Sequence, residues 1–139
     1  MTPKYIYKAT IDRVIDGDSI EASIDCGFDV VLNRQQCRLK GIDTAETRGG
    51  SEETKAIGRL AKSILFDLLP VGHQVVIETS LDRRGKFGRI LAIVHSDQMN
   101  INQELLDRRL AVTYDGQSKA ELTEQHLANY EYHAKKGHF

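Results

Sequence analysis

The hydrophobic period of this chain changes from two to about 3.6 near residue 50, and that change limits its architecture more than any other feature. In the first third, Tyr5, Tyr7, Ala9 and Ile11 alternate with Ile6, Lys8, Thr10 and Asp12, and Ile20, Ala22 and Ile24 alternate with Ser19, Glu21 and Ser23. Side chains of a strand point to opposite faces in turn, so this pattern predicts two strands. Asp16-Gly17 between them is a strong hairpin signal. A second turn falls near Asp25-Cys26-Gly27, and residues 30–42 supply a third strand. After the loop Arg48-Gly49-Gly50-Ser51, the residues Ile57, Leu60, Ala61, Ile64, Leu65 and Leu68 follow helical spacing, and Pro70-Val71-Gly72 ends that helix. Residues 74–79 and 89–95 read as strands, with a polar, glycine-bearing connection over 82–88. Asn100-Ile101-Asn102-Gln103 and Ser118-Lys119-Ala120-Glu121 resemble capping boxes, opening helices to about Arg109 and about Lys136. Five short strands with an inserted helix and two later helices predict an α+β chain that is mainly barrel: an OB-type, five-stranded Greek-key barrel with three helices. At 139 residues, with no repeat or linker, residues 1–139 are expected to form a single domain.

The chemistry collects where the predicted strands end. Asp18 sits at a turn and Asp43 at a strand terminus. A meander of three strands can bring the two together, and converging carboxylates repel unless a cation lies between them. Each stretch alone has a plainer reading. Asp16-Gly17-Asp18 suits an ordinary turn, and Asp43-Thr44-Ala45-Glu46-Thr47 suits a helix cap with an acidic first turn. The combination is more informative. Arg38 lies inside a strand, with the parity of Lys40 and Ile42 and opposed to Leu39, so an inward-pointing guanidinium there needs an anionic partner. Arg89 follows Gly88 at the start of an apolar strand. Hard oxygen ligands hold a divalent cation, arginines match the charge and fork of a phosphate, and a remaining carboxylate, Glu46, can position or activate water. Together these residues point to phosphodiester chemistry.

Several classes are set aside. The chain carries 19 Lys and Arg against 20 Asp and Glu, a net charge of −1, which argues against a purely charge-driven nucleic-acid binder. No phosphate-cradling GxxxxGK[ST] motif and no Ser-His-Asp nucleophile elbow occurs. No apolar run approaches bilayer-spanning length, so no membrane association is expected. The N-terminus lacks the apolar core of a signal peptide, so a cytoplasmic location and free thiols at Cys26 and Cys37 are expected. His73, His95, His126, His133 and His138 are scattered and read as surface or packing residues.

The Asp-Gly-Asp-Ser turn at 16–19, the Arg-Leu-x-x-Ile-Asp-Thr-x-Glu-Thr stretch at 38–47 and Lys86-Phe87-Gly88-Arg89, in this order and spacing, resemble the staphylococcal nuclease (thermonuclease) family from about Tyr5 to Lys136. The resemblance implies a Ca²⁺-dependent phosphodiesterase that hydrolyses DNA, RNA or both to 3′-phosphate and 5′-hydroxyl ends. It implies that Asp18 and Asp43, with the Thr44 carbonyl, bind Ca²⁺. Glu46 would orient or deprotonate the attacking water, and Arg38 and Arg89 would clamp the phosphate. Lys86 and Phe87 would lie at a neighbouring phosphate, and Tyr114 would stack on a base. Three departures stand out. Ala45 replaces the family's usual Pro, which predicts a less rigid loop. Phe87 replaces a Tyr and loses a hydroxyl donor. Residues 115–119 resemble compact versions from phage and bacterial genomes, so a phage-encoded origin is one expectation, with a monomer as the default state. The alternative reading is a non-catalytic OB-type nucleic-acid- or protein-binding module with a vestigial site; such a module has no need of Asp18, Arg38, Asp43, Glu46 and Arg89 together.

Overall fold

Five strands close on themselves because one parallel pairing joins the two edges of an otherwise antiparallel sheet. The structure, a computed structural model, describes residues 3–82 and 89–139. In chain order its elements are β1 (Tyr5–Asp16), β2 (Ser19–Asp25), β3 (Val31–Leu39), β4 (Ile42–Asp43), α1 (Glu52–Leu68), β5 (Gln74–Asp82), β6 (Arg89–Ser96), β7 (Met99–Asn100), α2 (Ile101–Asp107), β8 (Val112–Thr113) and α3 (Lys119–Lys135). β1 pairs antiparallel with β2 and β5, β2 with β3, and β5 with β6. β3 then pairs parallel with β6, with Arg38 opposite Leu91, and the ring is complete. This is the five-stranded OB-type barrel with three helices that the periodicity predicts.

The Asp16-Gly17 signal is realised as a two-residue hairpin in which Asp16 faces Ser19. The pairing of β1 with β2 shifts register twice, between Ile11 and Arg13 and between Val14 and Asp16, and the first shift re-phases the alternation. An extra residue in one strand of a pair switches which side chains face inward. Ala9, Ile11 and Val14 are therefore all buried, although strict alternation cannot bury both of the last two. The inward residues of the ring, including Ile20, Ala22, Cys37, Leu39, Ile77, Ala92 and Val94, pack against Ile57, Ala61 and Leu65 of α1 and Ile101 and Leu105 of α2. The Cys37 thiol is buried in this core, which pushes its pKa up to about 11 and leaves it protonated.

The third predicted strand is shorter than its apolar pattern suggests. Pairing with β2 and β6 stops at Leu39; Lys40 and Gly41 turn the chain, and Ile42 and Asp43 pair separately with Thr113 and Val112. Gly41 has φ +80°, a conformation glycine adopts without steric cost. The turn is held by Lys40 N–H donating to the Ala92 carbonyl and by buried Asn102 on α2. Asn102 Nδ2 donates to the carbonyls of Lys40 and Ala92, and its Oδ1 accepts from Val94 N. A second difference concerns Asp82, predicted in a polar connection: it is the last residue of β5, facing Arg89 of β6.

The second and third helices open on the predicted caps, and the first opens on Ser51, the last residue of the predicted loop. Ser51 accepts from Thr54 N, Asn100 from Gln103 N, and Ser118 from Glu121 N. Among the described residues no helix is long and apolar enough to cross a membrane.

Asn102 predicts a measurable cost. Replacing it with Ala leaves Val94 N–H and the Lys40 carbonyl without their side-chain partner, and a buried unmet group costs about 1–3 kcal/mol. Asn102→Ala should therefore lower the unfolding free energy by roughly 2–4 kcal/mol in urea titration. A loss below about 1 kcal/mol would show that other groups satisfy the turn.

Candidate active site

The turn at Gly41 directs Asp43 to the barrel mouth, where the β1–β2 hairpin already holds Asp18. The two carboxylates meet at one nitrogen of Arg38. Arg38 Nη2 lies 2.9 Å from Asp43 Oδ1 and 3.6 Å from Asp18 Oδ2. All three side chains are at least three-quarters shielded from solvent, at 22%, 19% and 11% exposure for Arg38, Asp43 and Asp18. Neighbouring residues Cys37 and Leu39 point into the core, so strand alternation sends Arg38 to the opposite face.

The two carboxyls differ in environment. Burial is the largest influence on Asp18 and raises its pKa; the Arg38 charge and the Thr44 N–H bond to Oδ2 oppose it, and the Asp43 charge adds to it. For Asp43 burial again raises the pKa, but hydrogen bonds from His126 and Arg38 outweigh it and hold the carboxyl below its ordinary value. The donor set fits a hard divalent cation. Two carboxylates, one from the β1–β2 turn and one from β4, reach the same positive centre, and the Thr44 carbonyl is adjacent in the chain. Among the described residues no group of three or more His, Cys, Asp or Glu could hold a metal, so a cation here would draw further ligands from carbonyl oxygen and water.

Arg38 and Asp43 line a cleft of about 630 Å³ together with Thr44, Glu46, Arg89 and Tyr114. Asp18 is not part of its wall; it lies behind Thr44, bonded to that residue's N–H. Glu46 is exposed on the cleft. Arg89 is half-exposed, 3.6 Å from the buried carboxylate of Asp82. The Arg38 guanidinium lies 5.6 Å from the ring centroid of Tyr114, whose N–H donates to the Gly41 carbonyl. Of the predicted site residues, the structure thus gathers Asp18, Arg38, Asp43, Thr44, Glu46, Arg89 and Tyr114. Lys86 and Phe87 lie outside the described residues.

Three features of the site went unread in the sequence. His126 of α3, grouped above with surface or packing histidines, is buried, with Nε2 2.8 Å from Asp43 Oδ2. Gly58 of α1 is a close-approach residue: a Cβ there would lie 2.5 Å from the Ala45 carbonyl oxygen and 2.7 Å from that of Glu46. Asp82 joins the cleft wall. The loop after Asp43 is braced although Ala replaces Pro: Thr44 N–H bonds Asp18, Thr47 Oγ1 donates to Asp16 Oδ1, and α1 presses on its carbonyls at Gly58.

An OB-type barrel carrying two carboxylates and two arginines around one cleft defines a class of protein. The family within that class follows from comparison. Residues 36–138 match the family described as staphylococcal nuclease homologue, and the chain belongs to that family. Asp18 precedes the matched segment. The chain is also similar to two proteins of Bacillus subtilis (strain 168), the SPbeta prophage-derived endonuclease YokF and the endonuclease YncB. Each is 30% identical over 119 residues, which is 84% of this chain but 38% of the first and 54% of the second. The chain therefore spans about half the length, or less, of these curated relatives.

Two outcomes follow for the site. Because burial raises the Asp18 pKa, its charged form burdens the fold at neutral pH; the burden is fully present above the raised folded value and vanishes as pH falls below the ordinary one. Asp18→Asn should then stabilise the protein in EDTA at neutral pH, and the gain should shrink on acidification, in paired denaturation curves. Equal gain at every pH would point to a cause other than ionisation. Gly58→Ala should cost roughly 1–3 kcal/mol and displace the loop bearing Glu46, since backbone carbonyls cannot yield as a flexible side chain can. Unfolding measurements with amide shift mapping of residues 44–47 would check this; unmoved shifts with full stability would contradict it.

Proposed function

We propose that this chain is a Ca²⁺-dependent nuclease that hydrolyses phosphodiester bonds of DNA, RNA or both, leaving 3′-phosphate and 5′-hydroxyl ends. The observation that carries the reading is the meeting of Asp18 and Asp43 at a single Arg38 nitrogen, beside a cleft lined by Asp43, Glu46 and Arg89. Membership of the nuclease family supports it, as do relatives named as endonucleases. A vestigial binding module would not require a shielded pair of like charges at its centre, because such a pair burdens the fold without a return.

On this reading Asp18, Asp43 and the Thr44 carbonyl hold Ca²⁺. When bound, it supplies positive charge against the negative charge that grows on the phosphate oxygens. Once the two carboxylates are neutralised, the N–H groups of Arg38 are available to the phosphate as a bidentate fork. Arg89 approaches the same group from the end of the adjoining strand. Glu46, exposed on the cleft, accepts a proton from water as its oxygen bonds to phosphorus. The bond to the 5′-oxygen breaks in line, and that oxygen is protonated from solvent, since an arginine does not give up its proton. Tyr114 offers an aromatic face for a base beside the phosphate site. Lys86 and Phe87 are assigned to a neighbouring phosphate by family resemblance alone.

The test is cleavage of end-labelled single-stranded DNA and RNA with Ca²⁺ and with chelator. We expect cleavage only with Ca²⁺ and products bearing 3′-phosphate. Glu46→Gln keeps shape and removes the base, so turnover should fall by about 10²–10⁴-fold while Ca²⁺ binding persists. Undiminished cleavage in EDTA would remove the cation from the mechanism, and unchanged turnover in Glu46→Gln would return that carboxylate to a purely structural role.

A further inference from the structure

Asp43 is held from two directions, and the second hold comes from a helix distant in sequence. Its Oδ1 accepts from Arg38 on β3, and its Oδ2 meets His126 on α3. An ionised carboxylate only accepts hydrogen bonds, so in the 2.8 Å contact His126 Nε2 carries the hydrogen. His126 Nδ1 is buried and has no hydrogen-bond partner. An imidazole chosen for packing alone would gain nothing from this arrangement, since an apolar side chain of similar size leaves no nitrogen unmet. The bond to Asp43 is the feature of His126 that packing does not explain.

The helix is fixed in register for this contact. The buried residues of α3 are His126, Asn129 and His133, at the spacing of one helical face. Asn129 Nδ2 donates to the Ala111 carbonyl and Oδ1 accepts from Arg109 Nε. His133 Nε2 donates to the carbonyls of Arg108 and Arg109. A polar seam of this kind permits one docking of α3, because sliding by a turn would break every bond in it. Leu122 and Thr123, on the preceding turn, line the cleft.

We propose that His126 is a positioning residue for Asp43: its Nε2–H holds Oδ2, so that Oδ1 is presented to the cationic centre where Arg38 Nη2 stands. The inference rests on the cation-binding reading given above, and it links the seat of α3 to the geometry of the site. A side chain that orients a ligand from behind changes metal affinity without touching the metal.

Calorimetric titration of Ca²⁺ into the wild type, His126→Leu and His126→Gln tests it. Gln can place an amide N–H near the histidine Nε2 position, whereas Leu fills the space with no donor. We expect His126→Leu to weaken Ca²⁺ binding by about 10–100-fold, and His126→Gln to recover most of that loss. Thermal unfolding in EDTA should show the Leu variant folded, which separates lost positioning from lost structure. Wild-type affinity in His126→Leu would overturn the inference while leaving the cation site intact. A wild type that takes up no Ca²⁺ would overturn both. Should the Leu variant not fold, His126→Gln decides: near wild-type affinity supports positioning through the N–H, and a loss as large as that expected for Leu refutes it.

Discussion

One guanidinium nitrogen shared by two carboxylates is the constraint on which the rest of this structure depends. Asp18, in the β1–β2 turn, and Asp43, in β4, approach each other in a shielded place, where like charges are costly. Arg38 makes that approach possible. It stands on β3, the strand that pairs with β2 on one side and closes the barrel against β6 on the other. Its backbone is thus fixed by two neighbours, and its side chain is held by Asp43 and Asp18. Removing Arg38 would leave the two carboxylates uncompensated, and a loss of that kind destabilises by about 3–5 kcal/mol. The balance struck is unequal: Asp43 is held ionised, while burial pushes the Asp18 carboxyl towards its neutral form. A site in that state gains from additional positive charge.

The barrel supplies the floor of the cleft, and each helix sets a different part of its rim. α1 presses on the carbonyls of Ala45 and Glu46 where Gly58 leaves room. α2 reaches through Asn102 to the turn at Lys40 that separates β3 from β4 and so aims Asp43. α3 meets Asp43 itself through His126. Three segments distant in sequence therefore converge on one ten-residue stretch, 38–47. That stretch cannot be positioned by its own conformational preferences, which suit a helix cap as well as a site.

Local chemistry explains which parts could be read in advance. The hairpin at Asp16-Gly17 and the caps at Asn100 and Ser118 depend on a few adjacent residues, and each appears where predicted. The break at Lys40-Gly41 did not show, because Ile42 continues the apolar character of the preceding strand and only the positive φ of Gly41 marks the turn. The register shift after Ile11 is equally silent, since a pairing irregularity belongs to two strands and not to one. Gly58 looks like any glycine tolerated in a helix until its neighbour is known. His126 carried a faint signal. The last helix has no apolar stripe, and a helix that docks through polar residues must satisfy them on its partner. The shared face of His126 and His133 was visible; the carboxylate 83 residues earlier was not.

The two arginines are unequal partners for a phosphate, and their surroundings say how the work divides on the proposed reading. Arg38 is largely shielded, fixed by Asp43 and Asp18, and flanked by the Tyr114 ring. A donor already oriented in a poorly solvated place pays little reorganisation as charge develops, so its effect concentrates in the transition state. Arg89 is 55% exposed and only loosely opposed to Asp82 at 3.6 Å. Its charge is felt at a distance but is screened by salt, so it contributes more to attracting the polyanion than to the chemical step. The distinction comes from the strands. Arg38 of β3 is held by Asp43 of β4, itself bonded by His126 of α3, whereas Arg89 opens β6 at the rim of the cleft. Placing one guanidinium inside and one at the edge lets a neutral protein attract a phosphate and still surround it with fixed charge.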